Sequence, residues 1–309
     1  MITVYKTING RLEQVKSIED DCWVNIVDPT QEEVAELEKN FAIPSDFLTD
    51  PLDVDERARI AVEDEYSLII IRIPIFEEDE EVPFTTMPIG IIISDDIIFT
   101  ISKKDNSILH RFTSGKVRRF STDKHSRFIL QIFYYVSLLY LNYLKVVDKR
   151  ATEVEKELHK SLKNEELIRL LNLEKSLVYF TTSLRSNELM MEKLQRMEIV
   201  KMYVEDKELL DDVIIENKQA IETANIHSNI LSGMMDAFAS VISNNLNVVM
   251  KFLTSITIIL MIPTLIASFY GMNVSLPFQH SPNAFLYTII LSVLLVTIGV
   301  FIFIKRRWF

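Results

Sequence analysis

Two stretches without a charge, Phe252 to Tyr270 and Ala284 to Ile304, run for 19 and 21 residues. A helix needs about 20 predominantly apolar residues to cross the hydrocarbon core of a bilayer, so both are candidate spans. A pair of buried core helices is the competing reading. The link, Gly271 to Asn283, contains no Lys or Arg, whereas Lys251 precedes the first stretch and Lys305, Arg306 and Arg307 follow the second. The positive-inside rule then puts both termini in the cytoplasm and the link outside, with the protein multi-pass in the cell (inner) membrane. Trp308 and Phe309 stand where interfacial aromatic anchors belong. Met1 to Lys6 has no basic region leading into an apolar core, so no signal peptide is expected.

Charge divides the chain at the same place. From Leu246 onward there is no Asp or Glu, and the four basic residues give +4. The first 245 residues carry 29 basic and 44 acidic side chains, a net of −15. An acidic soluble body joined to a membrane segment follows. Nucleic acid is excluded as a partner, because no basic face is available to neutralise phosphates. Cys22 is the sole cysteine, so one chain can build neither a disulfide framework nor a thiolate metal site. The histidines at 110, 125, 159, 227 and 280 show no metal-ligand spacing. There is also no P-loop, no Gly-x-Gly-x-x-Gly and no Gly-x-Ser-x-Gly, so an enzyme is not expected.

The acidic body reads as α/β over residues 1–122. Cys22 to Asp28 is a short strand, and Thr30 with Glu33 makes a capping box ahead of Val34, Leu37 and Phe41 at helical spacing. Ser67–Ile73, Pro88–Ile93 and Ile97–Ile101 are β-branched runs, the last two joined across Ser94-Asp95-Asp96. Continuous apolar runs imply strands covered on both faces, hence a sheet between helices. Beyond Gly115 the next glycine is Gly233, and no proline occurs between Pro88 and Pro263. Long helices are the natural reading. A hairpin is expected over 123–205, with helices from about Asp123 to Lys163 and from about Glu165 to Tyr203. A stalk over 206–251 would continue unbroken into a first span at 252–270. An outer loop at 271–283, a second span at 284–304 and a basic tail at 305–309 complete the division. At 1.5 Å per residue, the roughly 65 residues from Asp206 would extend about 100 Å, and such a helix needs partners along its flank.

On that helix one line at 3.5-residue spacing contains Asp236, Ser240, Ser243, Asn247, Met250, Thr254, Thr257, Met261, Thr264 and Ser268. Eight of the ten are polar, and Leu253 lies at the edge of the same face. A polar stripe on an otherwise apolar spanning helix avoids lipid and faces a bundle or a watery lumen. Alternatively the Ser and Thr hydroxyls bond across to the second span or back to their own helix.

Tyr270-Gly271-Met272-Asn273 closes the first span. Gly there suits a helix C-cap, and Asn tolerates the same left-handed geometry. In this position the four residues also resemble the signature of the CorA family of magnesium channels. Asn247, Met250-Lys251, Leu253-Thr254 and Met261-Ile262-Pro263-Thr264 resemble the family's membrane helix, and Lys305-Arg306-Arg307-Trp308-Phe309 its basic, Trp-containing end. The resemblance covers essentially the whole chain and is specific from about Asp236 to Asn273.

It implies an α/β cytoplasmic domain with a long helical hairpin and stalk, two transmembrane helices per chain, and a funnel-shaped homopentamer. Gly271, Met272 and Asn273 would form the outer selectivity filter. Asn247, Leu253 and Met261 fall at its constrictions, Asp236 at an acid facing the lumen, and Lys305, Arg306 and Arg307 in a basic ring. Hydrated Mg²⁺ would be transported, with Co²⁺ or Ni²⁺ as further substrates, and Mg²⁺ would also regulate from the cytoplasm between subunits. Asp50, in Leu48-Thr49-Asp50-Pro51-Leu52-Asp53, and Asp212, in Asp211-Asp212-Val213, match the regulatory acids. Two departures stand out. Thr49 replaces an acid often found beside Asp50, and Val274 to Gln279 replaces the family's acidic Met-Pro-Glu loop. A related Zn²⁺ transporter is an alternative, although such relatives tend to have Ile where this chain has Met272. A non-conducting membrane cation sensor or scaffold is another.

Overall fold

The β-branched run Tyr66–Phe76 is the long strand of a seven-stranded sheet, β5. In chain order the others are β1 (Ile2–Ile8), β2 (Arg11–Val15), β3 (Cys22–Val27), β4 (Arg59–Glu63), β6 (Phe84–Ile93) and β7 (Ile97–Ser102). The spatial order is β2-β1-β3-β7-β6-β5-β4. Every pairing is antiparallel except β3 with β7, which run parallel. The computed structural model describes residues 1–160, 164–197, 203–278 and 281–306.

The expected sandwiching of the sheet is found. On one face, Val24, Ile26, Leu68, Ile70, Ile92, Phe99 and Ile101 pack with Leu37 of α1 (Gln31–Phe41) and with Phe47 and Leu48 of α2 (Ser45–Thr49). α1 starts with the capping box read from sequence: Thr30 Oγ1 accepts from Glu33 N, and the Glu33 carboxylate accepts from Thr30 N. Side chains alternate along a strand, so Trp23 points to the other face. There its ring lies 5.0 Å from Phe128 and 6.3 Å from Phe112, and its indole N–H donates to Thr100 Oγ1 at 2.8 Å. Phe112 belongs to α3 (Ser107–Thr113), which is N-capped by Asn106 accepting from Leu109 N.

Two long helices, α4 (His125–Lys160) and α5 (Asn164–Met197), cover the rest of that face. α4 starts two residues later than the sequence reading has it. The expected end of the first, at 161–163, and residues 198–202 of the second lie outside the described residues, and Tyr203, the expected end of the second, is not helical. α4 is long and apolar enough to cross a membrane, with mean hydropathy 1.2, but 44% of that window is buried within the chain. Phe128, Ile132, Phe133, Val136, Tyr140 and Leu144 are all core residues, which accounts for its apolarity.

One tie from α5 to the sheet is made by a side-chain amide. β4 pairs with β5 only as far as Ile70, leaving Arg72 without a strand partner on that side. Asn187 supplies both missing bonds: its Oδ1 accepts from Arg72 N at 2.9 Å, and its Nδ2 donates to Arg72 O at 2.8 Å. Tyr140 of α4 donates to the same carbonyl at 3.1 Å.

The third long helix, α6, runs from Val204 to Tyr270 without interruption through Gly233 and Pro263, as the sequence suggests. α7 spans Ala284–Lys305. Contacts divide the chain into two compact units, Met1–Met234 and Met235–Phe309. The apolar window of α6 has mean hydropathy 2.1 with 11% buried, and that of α7 has 2.7 with none buried.

Five helices and strands escaped the sequence reading: β1, β2, β4, α2 and α3. For the first pair a signal was present. Asn9-Gly10 forms the two-residue hairpin loop between Ile8 and Arg11, with φ of 52° and 77°, the left-handed geometry that Asn-Gly favours.

Candidate functional site

In residues 235–309 the polar line is on view. Asp236, Ser240, Ser243, Asn247, Met250, Thr254, Thr257, Met261, Thr264 and Ser268 are all exposed, as is Leu253. The opposite side of α6 is turned to α7. A Cβ on Gly299 would meet Ile262 Cδ1 at 3.5 Å, and Ser255 and Ile266, on the same side by helical spacing, are buried. The stripe therefore faces away from α7.

The hydroxyl protons follow one of the alternatives left open by the sequence, bonding back to their own helix. Ser240 donates to Asp236 O (3.0 Å), Thr254 to Met250 O (2.7 Å), Thr257 to Leu253 O (2.9 Å) and Thr264 to Leu260 O (3.1 Å). These are bonds back to the same helix, one turn earlier, and none of the four reaches α7. A hydroxyl so engaged keeps its oxygen lone pairs as acceptors. The exposed face of α6 is thus a ladder of acceptor oxygens broken by Met250, Leu253 and Met261.

α6 stops at Tyr270. The N–H of Gly271 reaches Ala267 O at 3.0 Å and that of Met272 reaches Phe269 O at 3.1 Å. The left-handed cap expected at Gly271, with Asn273 tolerating the same geometry, is not formed; neither residue has a positive φ. The helix ends in tight turns that need no left-handed residue, so the cap does not account for the glycine, although a Cβ there would stand 3.3 Å from Ala267 O. Gly271, Met272 and Asn273 are exposed. The Tyr270 hydroxyl donates to Pro277 O at 3.2 Å, fastening the start of the loop to its middle, and the Phe278 ring lies 6.0 Å from that of Tyr287 on α7. At the far end of α7, Lys305 is its last residue and Arg306 N–H closes it onto Ile302 O at 3.0 Å. Arg307, Trp308 and Phe309 lie outside the described residues, as do Gln279 and His280.

The two acids matched to regulation belong to residues 1–234. Asp50 opens a short 3-10 turn, Asp50–Leu52, that presses on the sheet. Gly90 on β6 makes this possible, since a Cβ there would stand 2.3 Å from Pro51 Cγ. Asp50 Oδ2 accepts from Arg59 Nη2, and the same guanidinium donates through Nε to Glu56 Oε1 at 2.7 Å. Burial pushes the Asp50 carboxyl above the usual range; Arg59 pulls it down, while Glu56 and Asp46 push it up. Asp212 is exposed on α6, with Val213 buried beside it, and its neighbour Asp211 accepts from Gln195 Nε2 at 2.9 Å. Among the described residues no group of three or more His, Cys, Asp or Glu could hold a metal, so one chain does not complete a site around either acid. The carboxylates are hard oxygen donors of the kind Mg²⁺ takes, and Asp50 already holds a cation, the Arg59 guanidinium. The chemistry fits a cation at Asp50. Arg59 and Gly90 carried no sequence signal as site residues, because their roles depend on pairings between distant elements.

The family model described as CorA-like Mg²⁺ transporter protein matches residues 19–306. The cobalt/magnesium transport protein CorA of Methanocaldococcus jannaschii is 32% identical over 291 residues, covering 93% of this chain and 90% of that protein. The protein of the same name from Thermotoga maritima is 24% identical over 301 residues, covering 93% and 83%. The complete structure of the CorA magnesium transporter from Methanocaldococcus jannaschii matches with a TM-score of 0.86 at 28% identity, covering 100% of this chain and 99% of that one. The α/β body, the long helices and the apolar C-terminal helix are all included in that agreement, and the chain belongs to the CorA family.

Proposed function

We propose that the protein is a passive membrane channel for hydrated Mg²⁺, with Co²⁺ and Ni²⁺ as further substrates, formed by five copies whose α6 helices line one pore. Magnesium and cobalt transport agree with the names of its relatives. The observation that carries the reading is the exposed polar line on the side of α6 turned away from α7. A polar line that includes Asp236 and Asn247 on an otherwise apolar helix favours a water-filled lumen between copies over lipid. The basic residues at Lys251 and from Lys305 onward keep both termini in the cytoplasm, with two spans per chain.

The chemistry of the ion suits this lining. Mg²⁺ demands octahedral oxygen geometry and gives up its waters reluctantly. Its bound waters are donors, so a lumen of acceptors can hold the hydrated ion through them. At the outer end Gly271, Met272 and Asn273 form the filter, where a ring of Asn273 carbonyls accepts from the water shell. Such contacts are weak enough for the ion to leave, as conduction requires. Rings of Leu253 and Met261 close the path by dewetting, and Asp236 places negative charge where cations collect on the cytoplasmic side. Lys305 and Arg306 with Arg307 ring the pore at the membrane surface. Asp50 and Asp212 face each other between copies, and Mg²⁺ bridging them relieves their repulsion and stabilises the closed state.

Metal-by-metal uptake into liposomes holding the purified full-length protein tests the reading. Mg²⁺ uptake that is blocked by Asn273→Ala is expected. No flux of any divalent cation would leave a non-conducting sensor, and flux of Zn²⁺ alone would move the chain to the zinc-transporting relatives.

A further inference from the structure

Between the 3-10 turn and β4 the chain doubles back on itself, and both strokes are fastened. Asp53 N–H reaches Asp50 O at 3.1 Å, and Asp55 N–H reaches Asp53 Oδ1 at 3.0 Å. The half-buried Arg72 guanidinium donates to the carbonyls of Val54 (2.9 Å) and Glu56 (2.5 Å). It also meets Thr86 and Ser183, so its donors are taken by neutral oxygens, and Asp53, Asp55 and Glu56 act on it through their charge alone. Arg59 is the first residue of β4, registered opposite Ile70. The backbone on each side of the Asp50–Arg59 pair is therefore held, and only the side chains are left to move. Both are partly open to solvent, with side-chain exposure of 38% for Arg59 and 30% for Asp50, so an ion can reach the carboxylate.

We infer that Arg59 is a tethered counter-cation at Asp50, which competes with divalent cations there and sets the Mg²⁺ concentration at which the site responds. A guanidinium and a metal ion seek the same carboxylate oxygens. Glu56, bonded to Arg59 Nε, gives the guanidinium a second acid on which to rest when a metal takes Asp50. The pair thus has a place to go without any change of backbone.

The inference rests on the proposed role of Asp50 as a cation-responsive acid, and the experiment separates the two. Full-length protein in detergent is titrated with Mg²⁺ alone while protection from a protease is followed, and its melting without Mg²⁺ is recorded alongside. For Arg59→Gln, the midpoint should fall about two- to fivefold, the range set by a partly exposed ion pair. Arg59→Lys keeps a competing charge and should stay near the wild-type midpoint. An unchanged or raised midpoint in Arg59→Gln would overturn the inference, leaving a pair that only fixes the turn. So would an equal fall in both variants, which would report lost geometry rather than lost charge. A wild-type response in Asp50→Asn would instead remove the role of Asp50, and the inference with it. Loss of response in Asp50→Asn beside an unmoved Arg59→Gln would sink the inference alone.

Discussion

β5 and α7 are made of nearly the same residue types. Leu68, Ile69, Ile70 and Ile71 have no exposed surface, because α1, α2, α4 and α5 enclose both faces of the sheet. α7, rich in Ile, Leu, Val and Phe, has no buried residue at all. The body makes its own apolar medium and closes a core, so each fully buried Leu or Ile stabilises it by about 1.5–3 kcal/mol. The described residues from Met235 onward leave comparable surface open, far beyond what a soluble monomer tolerates, and so need lipid as their medium. Polar atoms follow the same division. In the body they are spent on fastening, as Asn187 is on the backbone of Arg72; along α6 they are left facing outward.

That contrast can be attacked first at Asn273. Its side chain is exposed and supports no element described above. Asn273→Ala should abolish Mg²⁺ uptake into liposomes while oligomer size and melting stay at wild-type values. Near-normal uptake would mean that the filter lies elsewhere.

A matched pair of truncations asks whether apolar side chains differ in the two regions as their surroundings do. Ile71→Ala should cost about 2–5 kcal/mol, as expected for a large-to-small change in a closed core. Val293→Ala, at a position 60% exposed on α7, should stay within about 0.5 kcal/mol. Denaturant unfolding of the full-length protein in one detergent reads both. Equal losses would erase the distinction drawn between the regions.

Smaller in scale is the effect of replacing both Asp50 and Asp212 with Ala. Mg²⁺ should then protect the protein from protease several-fold less well, with no change in the filter's preference among cations. Identical titrations for the double variant and wild type would place the sensor elsewhere in the acidic body.

The smallest effect belongs to the pore mouth, where residues 271–283 contain no acid. A field from fixed charges acts over about 8 Å at physiological salt, and here the loop supplies none. Wild-type uptake should depend weakly on ionic strength, and Leu276→Glu should raise it about twofold at low external Mg²⁺ and hardly at saturation. A steep fall of wild-type uptake with added monovalent salt would show that something other than the loop charges the mouth.

Much of the body was legible because its signals are local. The capping box at Thr30, the runs that became β5, β6 and β7, and the breaker-free stretch that became α4 to α6 are each contained within one element. Asn9-Gly10 is a local signal of the same kind, for the hairpin of β1 and β2. By contrast, the pairing of Asp50 with Arg59, the contact of Gly90 with Pro51 and the amide of Asn187 on Arg72 join residues whose proximity depends on the register of the folded sheet. Periodicity cannot supply that register. For the stripe, spacing gave the face but not the hydrogen bonds, since a Thr in a helix can turn its proton to its own backbone or to a neighbour. At Gly271 residue preference alone was misleading: glycine permits a left-handed cap without requiring one.

The amide of Asn187 has a consequence for how this chain fails. An uncovered strand edge is a template on which another chain can add a strand. β4 shields β5 only through Ile70, and past that point the shield is one side chain from α5 with a hydroxyl from α4. If α5 detaches while the sheet survives, an apolar edge opens with its backbone groups unclaimed, in a species that is otherwise folded. Self-association should then begin from loosening of the helices rather than from unfolding of the sheet. Asn187→Leu, which keeps the bulk but removes both bonds, should lower the yield of soluble full-length protein more than its effect on melting would suggest.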